Sequence, residues 1–172
     1  MATLFRDKAV ESIERGALEK YQLTYLRKSV ESALKTPFYQ KRLKKAGISC
    51  GDKIKSLEDL DRIPFTVKDD LRESYPRGLL AVDIKDVVRI HTSSGTTGIP
   101  TVIYHTQHDL DCWTELVTRS IYACGVRDED VFQNMMTYGM FTGGLGLHYG
   151  AERLGALVIP SSSGNTQRQL QL

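Results

Sequence analysis

Residues 93–101 form a short run of hydroxyl side chains and glycines whose composition suits phosphate binding. Gly95 and Gly98 can adopt positive φ, which lets successive backbone N–H groups turn toward one anion. The neighbouring hydroxyl groups add rotatable donors around the same point. The predicted phosphate-binding residues are Ser93, Ser94, Gly95, Thr96, Thr97 and Gly98. A flexible surface turn of the same composition is the alternative interpretation.

The flanks of this run favour a rigid turn. Residues 87–91 and 101–104 are rich in β-branched and aromatic side chains, so the run is predicted to connect two strands of a hairpin, with Pro100 at its end. A Walker loop is excluded because that motif needs Gly-Lys-Ser/Thr directly before a helix, whereas Ile99 and Pro100 precede a strand.

Helices are predicted for the first half of the chain. Apolar residues recur at helical spacing over residues 18–34, and Pro37 ends that helix. A shorter helix is predicted over residues 39–46, with Gly47 as a left-handed cap. Two capping-box patterns predict further short helices. They are Ser56-Leu-Glu-Asp59 and Thr66-Val-Lys-Asp69.

The second half alternates strands and helices. Thr106 is predicted to begin a long helix that ends at Gly125. Its apolar stripe, predicted to lie in the core, is Leu110, Trp113, Leu116, Val117, Ile121 and Cys124. A strand, a helix and a second strand, over residues 130–136, 144–154 and 156–160, predict a βαβ unit. Thr166 is predicted to cap a last helix.

The predicted fold class is therefore α/β, with N-terminal helices followed by part of a mostly parallel sheet and its flanking helices. We expect two parts: a helical segment over residues 1–85, and the start of an α/β nucleotide-binding subdomain over residues 86–172. The last strand would leave apolar surface uncovered, so we expect the chain to be the N-terminal piece of a longer protein.

Charge composition narrows the function classes. The 23 Lys and Arg residues nearly balance the 21 Asp and Glu residues, so the net charge of +2 gives no general attraction to nucleic acid or to a membrane surface. No apolar stretch is long enough to span a bilayer, and we expect a cytoplasmic protein.

Neither the cysteines nor the histidines predict a metal site. The cysteines are odd in number and widely spaced, so we expect reduced packing residues. The histidines show no helical pairing with carboxylates, so we expect structural roles. These residues are Cys50, Cys112 and Cys124, and His91, His105, His108 and His148.

Glycines at 144, 146 and 150 permit a dinucleotide-binding interpretation. Their spacing misses the usual fingerprint by one residue, and the next strand ends without an acidic partner for a ribose. This alternative is therefore the weaker one.

Several motifs together resemble the phenylacetate–coenzyme A ligase family, which belongs to the adenylate-forming superfamily of acyl-CoA synthetases. The resemblance covers almost the whole chain, and the block at 138–152 narrows it from the superfamily to this family. The motifs are Thr36-Pro-Phe-Tyr39, Leu57-Glu-Asp-Leu60, Ile63-Pro-Phe-Thr-Val-Lys-Asp-Asp-Leu-Arg72, Arg89-Ile-His-Thr-Ser-Ser-Gly-Thr-Thr-Gly98, Tyr138-Gly-Met-Phe-Thr-Gly-Gly-Leu-Gly-Leu-His-Tyr-Gly-Ala-Glu152 and Gly164-Asn-Thr-Gln-Arg168.

The resemblance implies a two-step ligation. A carboxylate attacks the α-phosphate of Mg²⁺-bound ATP to give an acyl-adenylate, and the thiol of coenzyme A then displaces AMP. It implies that Tyr138, Phe141, Gly143 and Gly144 line the pocket for an aryl acid; two aromatic side chains closing the end of a core is the alternative. Catalytic residues are expected beyond Leu172, so the chain alone is expected to be almost inactive, and a homodimer stays open.

The chain departs from the family at Ile99, where members commonly carry lysine. It also departs from the wider superfamily at Thr101, where a second lysine is often found. The loop thus lacks a point charge for the phosphates. Two other functions stay open: a truncated phosphate-binding module without catalysis, and a relative that adenylates a different acid or a deazaflavin cofactor.

Overall fold

The computed structural model describes residues 5–93 and 100–172. The first half of the chain is helical, as predicted. Its α-helices are α1 (Lys8–Glu11), α2 (Arg15–Ala33), α3 (Pro37–Lys45) and α4 (Lys68–Glu73). Short 3₁₀ helices cover Gly51–Lys53, Leu57–Arg62 and Ile84–Asp86.

Local caps set the limits of the two longer helices. α2 begins three residues before the predicted start, because the Glu14 carboxylate accepts from the Ala17 N–H. α3 begins at Pro37 because the Thr36 hydroxyl accepts from the Tyr39 N–H, and Pro is well suited to the first helical position. Gly47 follows α3 at φ 76°, which confirms the predicted left-handed cap.

A small apolar core holds this helical half together. Its buried members are Val30 of α2, Leu43 of α3, and Ile48 and Ile54 in the following turn. Ile48 and Ile54 have no exposed surface. Burial of each such side chain contributes about 1.5–3 kcal/mol. The core therefore joins α2 and α3 to the segment that leads away from them.

One of the two predicted capping boxes is confirmed and the other is displaced by one residue. The Asp59 carboxylate accepts from the Ser56 N–H at 3.3 Å, as predicted. The next helix is capped at Val67, whose N–H donates to Asp70 at 2.9 Å. Thr66 does not cap it, because its hydroxyl bonds to the Tyr39 hydroxyl instead.

The second half contains all the described strands. In chain order its elements are β1 (Arg89–Thr92), β2 (Val102–His105), α5 (Gln107–Ala123), β3 (Val131–Gln133), α6 (Thr142–Leu154), β4 (Leu157–Ile159) and α7 (Thr166–Gln171). β1 and β2 pair antiparallel as the predicted hairpin. β3 and β4 pair parallel across α6, which confirms the predicted βαβ unit.

The α/β fold class is confirmed, but the described strands form two separate pairs, one antiparallel and one parallel. A short connection can join only antiparallel neighbours, so the hairpin takes that form while the βαβ unit is parallel. The last helix is capped by Asn165, whose side chain accepts from the Arg168 N–H, and not by Thr166 as predicted.

Two glycines of α6 let it pack closely against α5. A Cβ on Gly146 would lie 2.5 Å from Trp113, and one on Gly150 would lie 2.6 Å from Val117. The Thr118 hydroxyl donates to the Gly150 carbonyl at 3.0 Å. The glycines lie inside a helix and serve helix packing. The dinucleotide-binding alternative, which needs them in a strand-to-helix turn, is therefore wrong.

The predicted stripe of α5 is partly wrong. Leu110 and Ile121 are buried, but Leu116 is 59% exposed. Cys124 and Cys112 are also exposed, so neither is the packing residue we expected. The contact with α6 runs along Trp113, Val117 and Thr118, which leaves Leu116 on the solvent side of the helix. All three cysteines are free thiols.

Apolar surface is exposed on the parallel strand pair. Val131 and Leu157 are cross-strand partners, and they are 62% and 60% exposed. Among residues 5–93 and 100–172, none of the helices combines the length and the apolar composition that crossing a bilayer requires.

Candidate functional site: the hairpin end and the segment after the third strand

Ser93 and Thr101 close the end of the hairpin. The Ser93 N–H donates to the Thr101 carbonyl at 3.0 Å, and the Thr101 N–H donates to the Ser93 hydroxyl oxygen at 2.9 Å. Thr101 is therefore a buried hairpin residue. The contact uses one lone pair of the Ser93 hydroxyl, and its proton is still available for a ligand.

The other predicted phosphate-binding residues, 94–98, lie outside the described residues, as does Ile99. The structure fixes the two positions between which they run. Residues 93 and 101 are held together by two hydrogen bonds at one end of the hairpin.

The hairpin is tied to the segment that follows β3. Two donors from β1 converge on the carbonyl oxygen of Met140: the Thr92 N–H, at 2.9 Å, and Nδ1 of His91, also at 2.9 Å. Because a carbonyl can only accept, Nδ1 of His91 carries a proton. The ring is only 1% exposed. The segment predicted for the acid pocket is thus fastened next to the start of the predicted phosphate loop.

Two histidines of the hairpin, one on each strand, pack their rings against the single tryptophan, which lies on α5. The His91 ring lies edge-on to Trp113, with centroids 5.6 Å apart. His105 of β2 stacks on Trp113, with centroids 6.1 Å apart and an interplanar angle of 19°. Burial lowers the pKa of His105, and the charges of the neighbouring His91 and Arg89 lower it further against the opposite effect of Asp109. This environment therefore favours a neutral His105.

Asn134 organises the segment that follows β3. The residue is only 1% exposed, and every polar atom of its amide is used. Oδ1 accepts from the Met136 N–H at 3.2 Å, while Nδ2 donates to the Gly144 carbonyl and to the Tyr138 hydroxyl, each at 2.8 Å. These hydrogen bonds hold the segment between β3 and α6 against the first turn of α6.

Tyr138 lies in a chain of polar side chains. Its hydroxyl oxygen is also 3.1 Å from Nδ1 of His148, whose Nε2 lies 3.1 Å from the Glu152 carboxylate. Burial raises the pKa of Tyr138, and the Glu152 charge acts in the same direction against the Asn134 hydrogen bond. The phenol therefore keeps its proton at neutral pH.

Phe141 immediately precedes α6, and Gly143 and Gly144 lie in its first turn. A Cβ on Gly143 would lie 3.0 Å from the Met136 methyl group and 3.2 Å from the Phe141 ring. One on Gly144 would lie 2.5 Å from the Thr137 carbonyl oxygen, so only glycine fits there. Gly144 is linked to Tyr138 through Asn134, which donates to both residues. Phe141 is 54% exposed and lies beside Gly143.

The pairing of His148 with Glu152 corrects the expectation that no histidine pairs with a carboxylate along a helix. The two residues are four apart on α6, which is the helical spacing that places side chains on one face. That spacing was the available signal in the sequence. Among the described residues, no group of three or more potential metal ligands occurs.

Two clefts of the described residues lie away from Tyr138 and Phe141. One, of ≈ 520 Å³, lies between the helical half and the hairpin and is lined by Tyr39, Leu71 and Tyr104 among others. The second, of ≈ 400 Å³, is lined mostly by polar residues of α5 and α6 together with Arg89. Neither cleft is lined by the residues predicted for the acid pocket.

Curated relatives match the chain over nearly its full length. A phenylacetate-coenzyme A ligase of Pseudomonas putida is 49% identical over 164 residues, which are 95% of this chain and 37% of the relative. This chain is similar to the N-terminal part of phenylacetate-coenzyme A ligases. The ligases of that name from Escherichia coli and Thermus thermophilus are 45% and 47% identical over the same shares. The resemblance indicated by the motifs is confirmed, and the chain spans about 37% of the length of these relatives.

A solved structure supports the same assignment of the fold. The 2-hydroxyisobutyryl-CoA ligase in complex with 2-HIB-AMP and CoA superimposes with a TM-score of 0.88 at 28% identity, and the match covers 98% of this chain and 37% of that one. A second structure of that ligase, in an open conformation, gives a TM-score of 0.87 at 26% identity. No family model matches the chain.

Proposed function

We propose that this chain supplies the ATP phosphate loop and one wall of the acid pocket of a ligase that joins phenylacetate, or a related aryl acid, to coenzyme A through an acyl-adenylate. The observation that carries the proposal is the Met140 carbonyl, which accepts from both His91 and Thr92. That contact supports the proposal because it lies between residue 140 and the two residues that precede Ser93. Adenylation needs this arrangement, because carboxylate and α-phosphate must meet in a fixed geometry.

In this proposal the hydroxyl and N–H groups of residues 93–98 stabilise the charge that builds on the phosphoryl oxygens as pyrophosphate leaves. Donors fixed before the reaction are effective because they do not have to reorganise during it. Since Ile99 and Thr101 bring no positive charge, Mg²⁺ would supply the cationic stabilisation together with groups outside this chain. Tyr138 and Phe141 would contact the aryl group through their rings.

The proposal includes a division of the chain and a setting for the reaction. Residues 1–85 would form the helical entry segment, and residues 86–172 the start of the nucleotide-binding subdomain. ATP and coenzyme A are co-substrates found in the cytoplasm, so we place the activity there. The rest of the ligase would cover the exposed Val131–Leu157 surface. A homodimer is also part of the proposal, and sedimentation equilibrium of the complete ligase would test it.

A chimeric ligase tests the function. In it, this chain replaces the matching 164-residue region of the Pseudomonas putida relative. We expect acid-dependent exchange of pyrophosphate into ATP with phenylacetate, less with benzoate, and little with aliphatic acids such as 2-hydroxyisobutyrate. A second chimera, with the corresponding region of the Escherichia coli relative, controls for the cost of exchange between relatives. The proposal would be contradicted if the control chimera catalysed exchange while the first chimera catalysed none with any of the acids tested.

A further inference from the structure

The polar chain around Tyr138 has a definite direction of hydrogen bonding, which follows from its buried end. The Asn134 atom that lies 2.8 Å from the Gly144 carbonyl must be a donor, so it is Nδ2, and Oδ1 receives the Met136 N–H. The same Nδ2 donates its second hydrogen to the Tyr138 hydroxyl. The Tyr138 oxygen is therefore an acceptor on this side.

The other end of the chain is fixed by a carboxylate. Glu152 can only accept, so Nε2 of His148 carries the hydrogen that it donates across 3.1 Å. In the neutral imidazole Nδ1 is then an acceptor, and its partner at 3.1 Å is the Tyr138 hydroxyl. The single phenolic hydrogen is thus directed to His148 and is not available to a ligand.

From this direction we propose that His148 and Glu152 are positioning residues for the acid pocket: they hold the hydrogen of the Tyr138 hydroxyl toward His148, so that Tyr138 offers the acid its ring and no hydrogen-bond donor. The proposal rests on the proposed function and adds two residues and a substrate class to it. The class is a carboxylic acid that is apolar where it meets Tyr138. A hydroxyl group placed there would find no donor.

Burial and charge support the assignment. The His148 side chain is 21% exposed, and its ring also packs edge-on to Tyr149 at 5.5 Å, which leaves it little freedom to rotate. The Glu152 side chain is 53% exposed. The exposed end of the chain can thus be changed by mutation with little disturbance of the buried end at Asn134.

Nuclear magnetic resonance of the 172-residue chain, labelled with ¹⁵N at histidine, tests the direction of hydrogen bonding without any ligase activity. We expect the long-range ¹⁵N–¹H spectrum to show His148 with a protonated Nε2 and an unprotonated Nδ1. Tyr138→Phe should shift the Nδ1 signal, while His108→Gln, an exposed histidine on α5, should not. A protonated Nδ1 in the neutral ring would overturn the proposal.

Kinetics of the chimeric ligase provide the second test, which does not require the isolated chain to fold. His148→Leu should raise KM for phenylacetate about fivefold, the value of one neutral hydrogen bond, with KM for ATP nearly unchanged. His148→Gln should restore KM, because its amide can accept from Tyr138 and donate to Glu152.

The outcomes separate the two proposals. An equal loss in His148→Leu and His148→Gln, or a parallel rise of both KM values, would overturn the positioning role while the proposed function stands. If the chimera catalysed pyrophosphate exchange with none of the acids tested, the proposed function would be overturned. The tautomer of His148 would then still test the direction of hydrogen bonding by itself.

Discussion

The imidazole of His91 donates from Nδ1 to the backbone carbonyl of Met140 across 49 positions of sequence. The Thr92 N–H donates to the same oxygen. This shared acceptor makes the hairpin and the segment after β3 one unit, although they belong to different strand pairs. Loss of either donor should therefore destabilise both the hairpin and the segment after β3.

Replacement of His91 tests the strength of that link. His91→Phe keeps a buried ring but removes the donor, so we expect a loss of about 1–2 kcal/mol in the free energy of unfolding. His91→Asn, whose amide can replace the Nδ1 donor, should recover the Met140 contact but leave a small cavity. Urea unfolding followed by Trp113 fluorescence measures both variants. Equal amide-exchange rates at Thr92 in His91→Phe and the wild type would show that the link is weak.

His105 should make stability depend on pH. Its pKa is lowered in the folded protein, chiefly by burial, so below the ordinary value of 6.5 the unfolded chain binds the proton first. Stability should be constant with respect to this group above that pH. It should fall as the pH decreases from 6.5 through the folded pKa.

Urea unfolding midpoints of the wild type, His105→Gln and the exposed His108→Gln, measured from about pH 8 to about pH 5, test this effect. We expect a smaller acid-side decrease in His105→Gln alone. A decrease that is equally steep in all three proteins would assign the pH dependence to other groups.

Asp59 should contribute to stability at the acid end. The Arg62 guanidinium, together with the Lys55 N–H, lowers the pKa of the Asp59 carboxyl to about 2. Because the folded pKa lies below that of the unfolded chain, the contribution is present above about pH 4 and is lost as the pH falls toward about 2.

Carboxyl titration by nuclear magnetic resonance checks the pKa of Asp59 directly. Asp59→Asn should unfold with a weaker dependence on pH in that window, and Asp52→Asn, in the neighbouring 3₁₀ helix, is the matched control. A titration midpoint near the ordinary value of about 4 for Asp59 would contradict the contact with Arg62.

Close packing of α5 and α6 predicts that Gly146 and Gly150 resist substitution. An alanine Cβ would lie 2.5 Å from the Trp113 ring or 2.6 Å from Val117, so each Gly→Ala change should cost about 1–3 kcal/mol. At Gly139 a Cβ would meet no described heavy atom within 4 Å, and Gly139→Ala should stay within about 1 kcal/mol of the wild type. Urea unfolding measures all three variants, and comparable losses at every position would argue against close packing as the cause.

Local signals predicted the elements well, and the contacts between them poorly. Gly47 and Gly125 end helices at φ 76° and 103°, as their sequence positions indicated. The cap at Thr66 failed because a residue far along the chain, Tyr39, competes for its hydroxyl. The partnership of His91 with Met140 has no local signal, since it depends on how two strand pairs are placed.

The most specific prediction of the proposed function concerns Thr96 of the predicted phosphate loop. If its hydroxyl stabilises the charge of the departing pyrophosphate, Thr96→Ala in the chimeric ligase should reduce kcat for adenylation by about 100-fold, the usual cost of one lost transition-state donor. KM for phenylacetate should change little, because the proposed acid-binding residues, 138–144, lie outside the loop. Thr24→Ala, an exposed threonine of α2 whose hydroxyl donates to the Lys20 carbonyl, is the matched control. Pyrophosphate exchange at an unchanged rate in Thr96→Ala would remove the loop from the chemistry.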